Sequence, residues 1–327
     1  IPAIQEIENL LDFKSLDIEF AIGADGEVNI LQVRPLTSNK YEVNRDEEIF
    51  KSIDSSIAKF KSLQISTPFV VGKSAIFGVM PDWNPAEIIG TKPNSLSFDL
   101  YRYLITDEVW ATQRSEYGYR DVRPHPLLVS FSGHPYVDVR ASFNSFIPAT
   151  LNDELAGRLI DFYLLRLSEN PQYHDKVEFD VVPTCYAFDF ENWRKMFITG
   201  GFSDVEIDGL RDGLLSITKH AISRTQEDLE TVDTFKDRFD EIFSSNLPPL
   251  DKALTLLEDC RRCGTLVFSH LARSAFVSVT LLKSAVETKV ISQGAMDSFL
   301  NSIETVAHEF INDAKKVAEN AKSWTEF

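Results

Sequence analysis

The feature that most constrains the fold is a helical apolar pattern that covers most of the chain after residue 152. Apolar residues recur there every three or four positions, with few glycines or prolines between them. Because this spacing places apolar side chains on one face of an α-helix, it predicts a series of amphipathic helices. The predicted helices cover residues 152–167, 190–199, 203–244, 249–262, 265–294 and 295–322.

The region before residue 152 has a more mixed pattern. Residues 67–148 are rich in proline, glycine and aromatic residues, and these prolines and glycines interrupt regular structure. Within this region, alternating apolar residues predict strands over 126–132 and 135–142. Helices are predicted over residues 47–62 and 99–115. The expected fold class is therefore α+β and predominantly α-helical, with short strand pairs.

A short hairpin pattern lies near the amino terminus, after an amphipathic helical pattern over residues 1–16. Alternating residues predict strands over 17–22 and 28–33, and the turn between them reads Gly-Ala-Asp-Gly. This sequence predicts a β-hairpin.

The polar residues of the predicted hairpin suggest a binding surface. Successive side chains of a strand point to opposite faces, so Asp17 and Glu19 share a face, and Gln32 and Arg34 share a face. If the two faces coincide, two carboxylates, an amide oxygen and a guanidinium meet over one patch of sheet. Such a set can hold a hard divalent cation and brace a phosphate group. The alternative is a solvated hairpin surface without a ligand.

The two strands also resemble the carboxyl-terminal edge of the ATP-grasp domain in phosphoenolpyruvate synthase, pyruvate phosphate dikinase and rifampicin phosphotransferase. The matching strings are Asp17-Ile18-Glu19-Phe20 and Leu31-Gln32-Val33-Arg34-Pro35-Leu36-Thr37. The resemblance implies an ATP-dependent phosphotransferase in which Glu19 and Gln32 bind the Mg²⁺ of the nucleotide. It further implies that Arg34 contacts the phosphates undergoing transfer, which makes Arg34 the candidate catalytic residue.

The resemblance carries an expectation about domains. Only sixteen residues precede the hairpin, whereas an ATP-grasp domain has two full lobes. Residues 1–40 are therefore expected to be the carboxyl-terminal remnant of a nucleotide-binding domain, and residues 41–327 a mainly helical central domain. The missing lobe and a phosphohistidine domain would belong to the same polypeptide, so the isolated chain is expected to be inactive. ATP and a small-molecule acceptor are the implied ligands.

A second resemblance covers about residues 78–149, which are similar to a central domain of some bacterial phosphoenolpyruvate-synthase-like proteins. The residues that carry this resemblance are Met80-Pro81-Asp82-Trp83-Asn84-Pro85 and the polar and aromatic segments that follow them. Arginines beside amides and carboxylates can orient a polyol or carboxylate through charge-assisted hydrogen bonds. The candidate acceptor contacts are Asp82, Asn84, Arg120, Asp138, Arg140 and Asn144.

Two alternatives to an acceptor site remain open for this region. The same residues could form a buried Asp–Arg network that holds irregular loops against helices, because the backbone of such loops needs hydrogen-bond partners. The helical domain could also be a non-catalytic scaffold that positions moving domains or a partner. A concave cavity shared by Arg120, Arg140 and Asn144 would favour substrate binding, whereas a filled core would favour the scaffold.

His270 and Arg273 complete the candidate residues. Ser269-His270-Leu271-Ala272 is similar to the end of the phosphohistidine string of the same family, but the paired glycines are missing and the surroundings are helical. We therefore expect His270 and Arg273 to lie on a helix that lines the central domain. The Cys260-x-x-Cys263 pair has no second pair at zinc spacing and no βαβ context, so it predicts neither a zinc site nor a redox motif.

Charge and composition argue against several classes of function. The 327-residue chain carries a net charge of −17, which opposes binding to nucleic acid and to anionic membranes. No apolar run reaches the roughly 20 residues of a membrane span. The odd number of cysteines, three, favours a reducing compartment over a disulfide framework. These observations predict a cytoplasmic location.

Overall fold

A computed structural model describes residues 2–12, 16–23, 26–35, 46–303 and 313–317. These residues are mainly helical with small antiparallel sheets, which confirms the expected α-rich α+β class. The chain divides into two compact units, Ile1–Ile53 and Asp54–Phe327. The domain boundary predicted near residue 40 lies outside the described residues and stays a prediction.

The first unit contains helix α1 (Pro2–Leu11) and a two-stranded antiparallel sheet of β1 (Leu16–Ile22) and β2 (Val28–Pro35). Helix α1 is shorter than the helix predicted over residues 1–16, because Leu16 already pairs with Pro35 in the sheet. None of the side chains described in this unit is buried. A two-stranded hairpin that buries no side chains is marginally stable by itself.

Helix α2 (Asp46–Leu63) comes next in the chain, close to the predicted bounds. Its first turn carries Asp46, Glu47 and Glu48, and the dipole of a helix favours negative charge at its amino end.

The second unit contains a three-stranded antiparallel sheet in the order β3-β5-β4. The strands are β3 (Phe77–Gly78), β4 (Leu128–Phe131) and β5 (His134–Asp138). The tight turn between β4 and β5 places Gly133 at φ 84°, where a residue without Cβ is unstrained. The nearby helices are α3 (Pro85–Ile88), α4 (Ser95–Tyr101), α5 (Val109–Tyr117) and α6 (Val139–Asn144).

Two predictions for this region differ from the structure. The single helix predicted over 99–115 is interrupted by a π-helical turn, Arg102–Thr106, between α4 and α5. The strand predicted over 135–142 ends at Asp138, where α6 begins. Asp138 stops the strand because its carboxylate accepts a hydrogen bond from the backbone N–H of Ala141 (3.1 Å) and so caps α6.

Most of the remaining helices lie close to their predicted bounds, but the helix predicted over 265–294 ends at Glu287, and a separate helix begins at Gln293. These helices are α7 (Asp153–Glu169), α8 (Phe190–Thr199), α9 (Asp204–Ser244), α10 (Pro249–Asp259), α11 (Leu266–Glu287) and α12 (Gln293–Ser302). Asn152 caps α7 by accepting from the N–H of Leu155 (2.9 Å). A π-helical turn, Cys260–Thr265, joins α10 to α11. The last predicted helix reaches beyond α12 into residues that are largely outside the described ranges.

The main core of the second unit is built by α6, α7, α8, α9 and α11. It includes Phe143, Leu159, Tyr163, Phe197, Leu214 and Val277, each at most 2% exposed. A smaller cluster contains Trp110 and Leu127 together with Val137 of β5. These two clusters position the buried polar groups described below.

Among the described residues, one helical stretch is long and apolar enough to cross a membrane, judged by length and composition alone. It is Pro249–Glu287, with a mean hydropathy of 1.4 over its most apolar window, of which 33% is buried inside the protein. The sequence predicts no such run, because charged residues interrupt the apolar residues of this stretch. Core helices of soluble proteins also meet this criterion.

Candidate functional site

The strand register of the hairpin brings four polar residues together. Asp17 lies opposite Arg34, and Glu19 lies opposite Gln32. Directly opposed residues of an antiparallel pair project to the same face. The four side chains therefore occupy one face of the sheet, and we call this group the hairpin patch.

Arg34 organises the hairpin patch through two carboxylates. Its Nη2 lies 2.5 Å from Oε1 of Glu19, and its Nε lies 3.7 Å from Oδ2 of Asp17. All three side chains are about half exposed, at 51–55%. A ligand can therefore reach them without rearrangement of a core.

The donors of the hairpin patch fit a magnesium–nucleotide complex. Mg²⁺ is usually held by one or two carboxylates together with substrate phosphates and water. Glu19 and Gln32 offer a carboxylate and an amide oxygen side by side, and Arg34 offers a guanidinium. No group of three or more His, Cys, Asp or Glu side chains in the described residues could hold a metal ion by itself. Metal binding at the hairpin patch would thus require phosphate or water ligands.

The candidates of the second unit lie in several separate environments, and Asp82 occupies the most enclosed of them. Its carboxylate pairs with Arg114 through two hydrogen bonds of 2.8 Å, and it accepts a third from Oγ of Ser142 (2.6 Å). Arg114 also donates to Oγ of Ser145 (2.6 Å). The side chains of Arg114 and Asp82 are only 2% and 3% exposed. We call these four residues the Asp82 network.

The loop that carries Asp82 has an unusual backbone. Asp82, Trp83 and Asn84 have φ angles of 118°, 50° and 28°, which are all in the sterically restricted positive region. The hydroxyl of Tyr101 donates to the carbonyl of Trp83, and Asn84 accepts from the N–H of Glu87 (3.3 Å) to cap α3. The side chain of Asn84 therefore caps the amino terminus of α3.

Arg120 and Asp138 make different contacts from those that an acceptor site would need. Arg120 pairs with Asp153 at 2.8 Å, and its side chain is 13% exposed. Asp138 is fully buried, caps α6, and lies 3.1 Å from Nε2 of His125. No hydrogen bond or ion pair joins the side chain of Asp138 to Arg140 or Arg120 within the described residues.

Arg140 and Asn144 are buried and bonded mainly to the backbone. Arg140 donates to the carbonyls of Leu63, Gln64 and Ile65, at 2.8–3.3 Å. It thus supplies hydrogen bonds to carbonyl groups at the carboxyl end of α2, which have no partner within the helix. Asn144 contacts both the N–H and the carbonyl of Val71, at 3.0 and 2.8 Å. Arg120, Arg140 and Asn144 therefore do not converge on a cavity described in this part of the chain.

His270 lies on α11 and is enclosed by charged groups from α5 and α9. Its Nδ1 lies 2.9 Å from a nitrogen of Arg224 and 3.2 Å from Asp228, while Nε2 lies 2.8 Å from Glu116 outside good hydrogen-bond geometry. Burial, and next the charge of Arg224, lower the pKa of His270 to about 4, although Asp228 acts in the opposite direction. His270 is thus neutral at pH 7.

Arg273 is one turn further along α11 and pairs with Glu178. Its guanidinium carbon lies 4.9 Å from the centre of the Phe146 ring, and that of Arg114 lies 4.0 Å from the same ring. The two arginines therefore stack on one aromatic side chain in the core.

The sequence interpretation did not include the partners of these groups. Arg114 and Glu116 lie on α5, Glu178 on the π-helical turn Val177–Val181 and Asp228 on α9, and no local pattern links them to Asp82, His270 or Arg273. One feature of the sequence could have identified Arg114 as a buried residue. It is four residues after the inward-facing Trp110, which places both on the buried face of α5.

Comparisons with protein-family profiles, with curated proteins and with solved structures found no match for this chain.

Proposed function

We propose that this chain carries the metal- and phosphate-contacting edge of an ATP-dependent phosphotransferase of the phosphoenolpyruvate synthase type. In this proposal a phosphoryl group passes from ATP to a histidine on a swivelling domain and then to a small-molecule acceptor. The observation that supports it is the register of the hairpin patch, in which Glu19, Gln32 and Arg34 share one exposed face.

The hairpin patch suggests how these residues would act. Glu19 and Gln32 would hold Mg²⁺, which when bound neutralises charge on the phosphate oxygens. Arg34 now contacts Glu19. When Glu19 binds the metal, the guanidinium becomes available to the phosphoryl oxygens, where a fixed positive charge stabilises the developing charge of the transition state. Further nucleotide contacts would come from the rest of an ATP-grasp domain.

Binding of Mn²⁺–ADP to this chain tests the proposal directly. Mn²⁺ replaces Mg²⁺ at oxygen sites and broadens the NMR signals of nearby nuclei. We expect weak, millimolar binding with selective broadening of the amides of β1 and β2. Glu19→Ala should abolish the broadening, and Asn29→Ala, at the other end of the same hairpin, should preserve it. Broadening that is absent, or unchanged in Glu19→Ala, would disprove the metal role.

Turnover of the intact enzyme provides the second test. Arg34→Ala is expected to lower ATP-dependent phosphoryl transfer by orders of magnitude, because it removes a charge that acts mainly in the transition state. The complete reading frame is also expected to encode a Gly-Gly-x-x-Ser-His string for the phosphohistidine. Unchanged turnover of Arg34→Ala would contradict the assignment of this residue.

For the candidate acceptor residues of the second unit, the contacts favour a structural role. Because Arg140 and Asn144 bond to backbone groups and Arg120 pairs with Asp153, we propose that they support a scaffold rather than contact an acceptor. Arg120→Ala in the intact enzyme should leave the KM for the acceptor unchanged. An increase of about tenfold or more in the KM for the acceptor would instead indicate that Arg120 contacts the acceptor.

A further inference from the structure

A cavity of about 500 Å³ lies between α8 and α11 in the second unit. Its walls include the π-helical turn Val177–Val181, the first turn of α8 and one stripe of α11, and its floor is the irregular segment 183–187. This volume is within the range of small-molecule sites, which is about 300–1,000 Å³. We call it the α8–α11 cavity.

The floor of the α8–α11 cavity is held by hydrogen bonds from three other elements. The hydroxyl of Tyr119 donates to the carbonyl of Thr184, Tyr186 N–H donates to Oγ1 of Thr218 (2.8 Å), and Phe188 N–H donates to Oγ of Ser284 (3.2 Å). Pro183, Thr184 and Cys185 are buried beneath the opening. The cavity is therefore a fixed feature of the fold, and a ligand would not have to order its floor.

Charged groups of both signs line the α8–α11 cavity without pairing with each other. Glu178 is already neutralised by Arg273. Asp180, Asp189 and Glu287 have no cation within 4.0 Å in the described part of the chain, and neither Lys176 nor Lys283 has a carboxylate at that distance. The ammonium of Lys283 instead lies 4.5 Å from the centre of the Phe179 ring. The cavity thus has unpaired positive and negative groups on one concave surface.

The spacing on α11 indicates the separation of charges in a ligand. Lys283 and Glu287 line the cavity four residues apart on the same helix, which is about 6 Å along the axis. An extended dipeptide spans at most about 7 Å, with an ammonium at one end and a carboxylate at the other. Trp193 and Phe179 add aromatic surface for a side chain of such a ligand.

We propose that the α8–α11 cavity binds a zwitterionic ligand of dipeptide size. Its carboxylate is held by Lys283 and Lys176, and its ammonium by Glu287, Asp180 and Asp189. A ligand with a single charge would leave one set of these groups unpaired, and a neutral ligand would leave both sets unpaired. The assignment is independent of the hairpin patch.

The dipeptide Ala-Phe and two blocked analogues test this proposal by calorimetry and NMR shift mapping. N-acetyl-Ala-Phe lacks the ammonium, and Ala-Phe amide lacks the carboxylate. We expect Ala-Phe to bind and each blocked form to bind about tenfold or more weakly, because a charge-assisted hydrogen bond contributes at least that factor. Shifts should concentrate on residues 176–193 and on the carboxyl-terminal half of α11.

Variants of the cavity supply the matched controls. Lys283→Met and Glu287→Gln change exposed side chains of α11 and should each weaken Ala-Phe binding by about tenfold. Lys219→Met, an exposed lysine on α9 without an ion pair in the described residues, should not change it. No saturable binding at about 10 mM would overturn the proposal. Equal binding of the blocked forms, or shifts outside the cavity, would overturn it as well.

Discussion

Arg273 of α11 and Glu178 of the π-helical turn Val177–Val181 form an ion pair in which the side chains are only 5% and 13% exposed. Attraction to Glu178 helps raise the pKa of Arg273 above its usual value, despite the opposing effect of burial. Arg273 is therefore charged inside the core, where a lone charge is strongly unfavourable. The pair thus fixes the turn that forms one wall of the α8–α11 cavity.

Removal of one partner of this ion pair should destabilise the protein. Glu178→Gln leaves Arg273 charged and without a carboxylate, so we expect the free energy of unfolding to fall by about 3–5 kcal/mol. Urea denaturation followed by circular dichroism measures this change. Arg262→Ala removes an exposed partner of Glu258 and should change stability by no more than about 0.5 kcal/mol. Equal effects of the two variants would contradict the role of burial.

The Asp82 network predicts a smaller effect for Ser142→Ala. The hydroxyl of Ser142 donates to the buried carboxylate of Asp82, and a hydrogen bond to a charged group contributes about 1.5–3 kcal/mol. Thermal or urea unfolding should show a loss in this range. Ser278→Ala is the matched control, since its exposed hydroxyl donates only to the carbonyl of Ser274. If Ser142→Ala leaves the free energy of unfolding unchanged, the network adds no stability.

His270 predicts a loss of stability in mild acid. Its pKa is about 4 in the folded protein and about 6.5 in an unfolded chain. The unfolded state therefore binds more protons between these values, so the free energy of unfolding should decrease as the pH falls from about 7 to about 4. His270→Phe should flatten this dependence, while His174→Gln, an exposed residue, should retain it. A pH profile that is unchanged in His270→Phe would exclude His270 as its cause.

Arg34 should matter little for folding. Its ion pairs with Glu19 and Asp17 are about half exposed, and such pairs contribute at most about 1 kcal/mol. The melting temperature of Arg34→Ala should therefore stay close to that of the parent protein in differential scanning calorimetry. A large decrease would mean that any loss of the proposed phosphoryl transfer in this variant reports unfolding and not the loss of the proposed phosphate contacts.

The elements with a clear period were predictable from the sequence. The long apolar stripes of α7 and α9, and the alternation in β1 and β2, gave bounds within a few residues of the structure. The break inside the helix predicted over 99–115 was not predictable, because the π-helical turn Arg102–Thr106 has no glycine or proline to mark it.

The partners of buried polar residues were harder to predict than the elements. Arg140 ends α2 by bonding carbonyls that are more than 70 residues away in sequence. Such contacts depend on tertiary packing, so a pattern of Asp, Arg and Asn can indicate a network without showing which atoms it serves. The hairpin patch could be predicted because its residues are linked by a local register.

The left-handed turn at Asp82, Trp83 and Asn84 restricts which sequences can replace this one. Asp and Asn tolerate positive φ better than other non-glycine residues, whereas Trp83 is held there by packing on Phe268 and by Tyr101. Glycine at position 83 would relax the backbone and lose that packing, and a β-branched residue would add strain. A saturation library of these three codons is therefore expected to return very few folded clones.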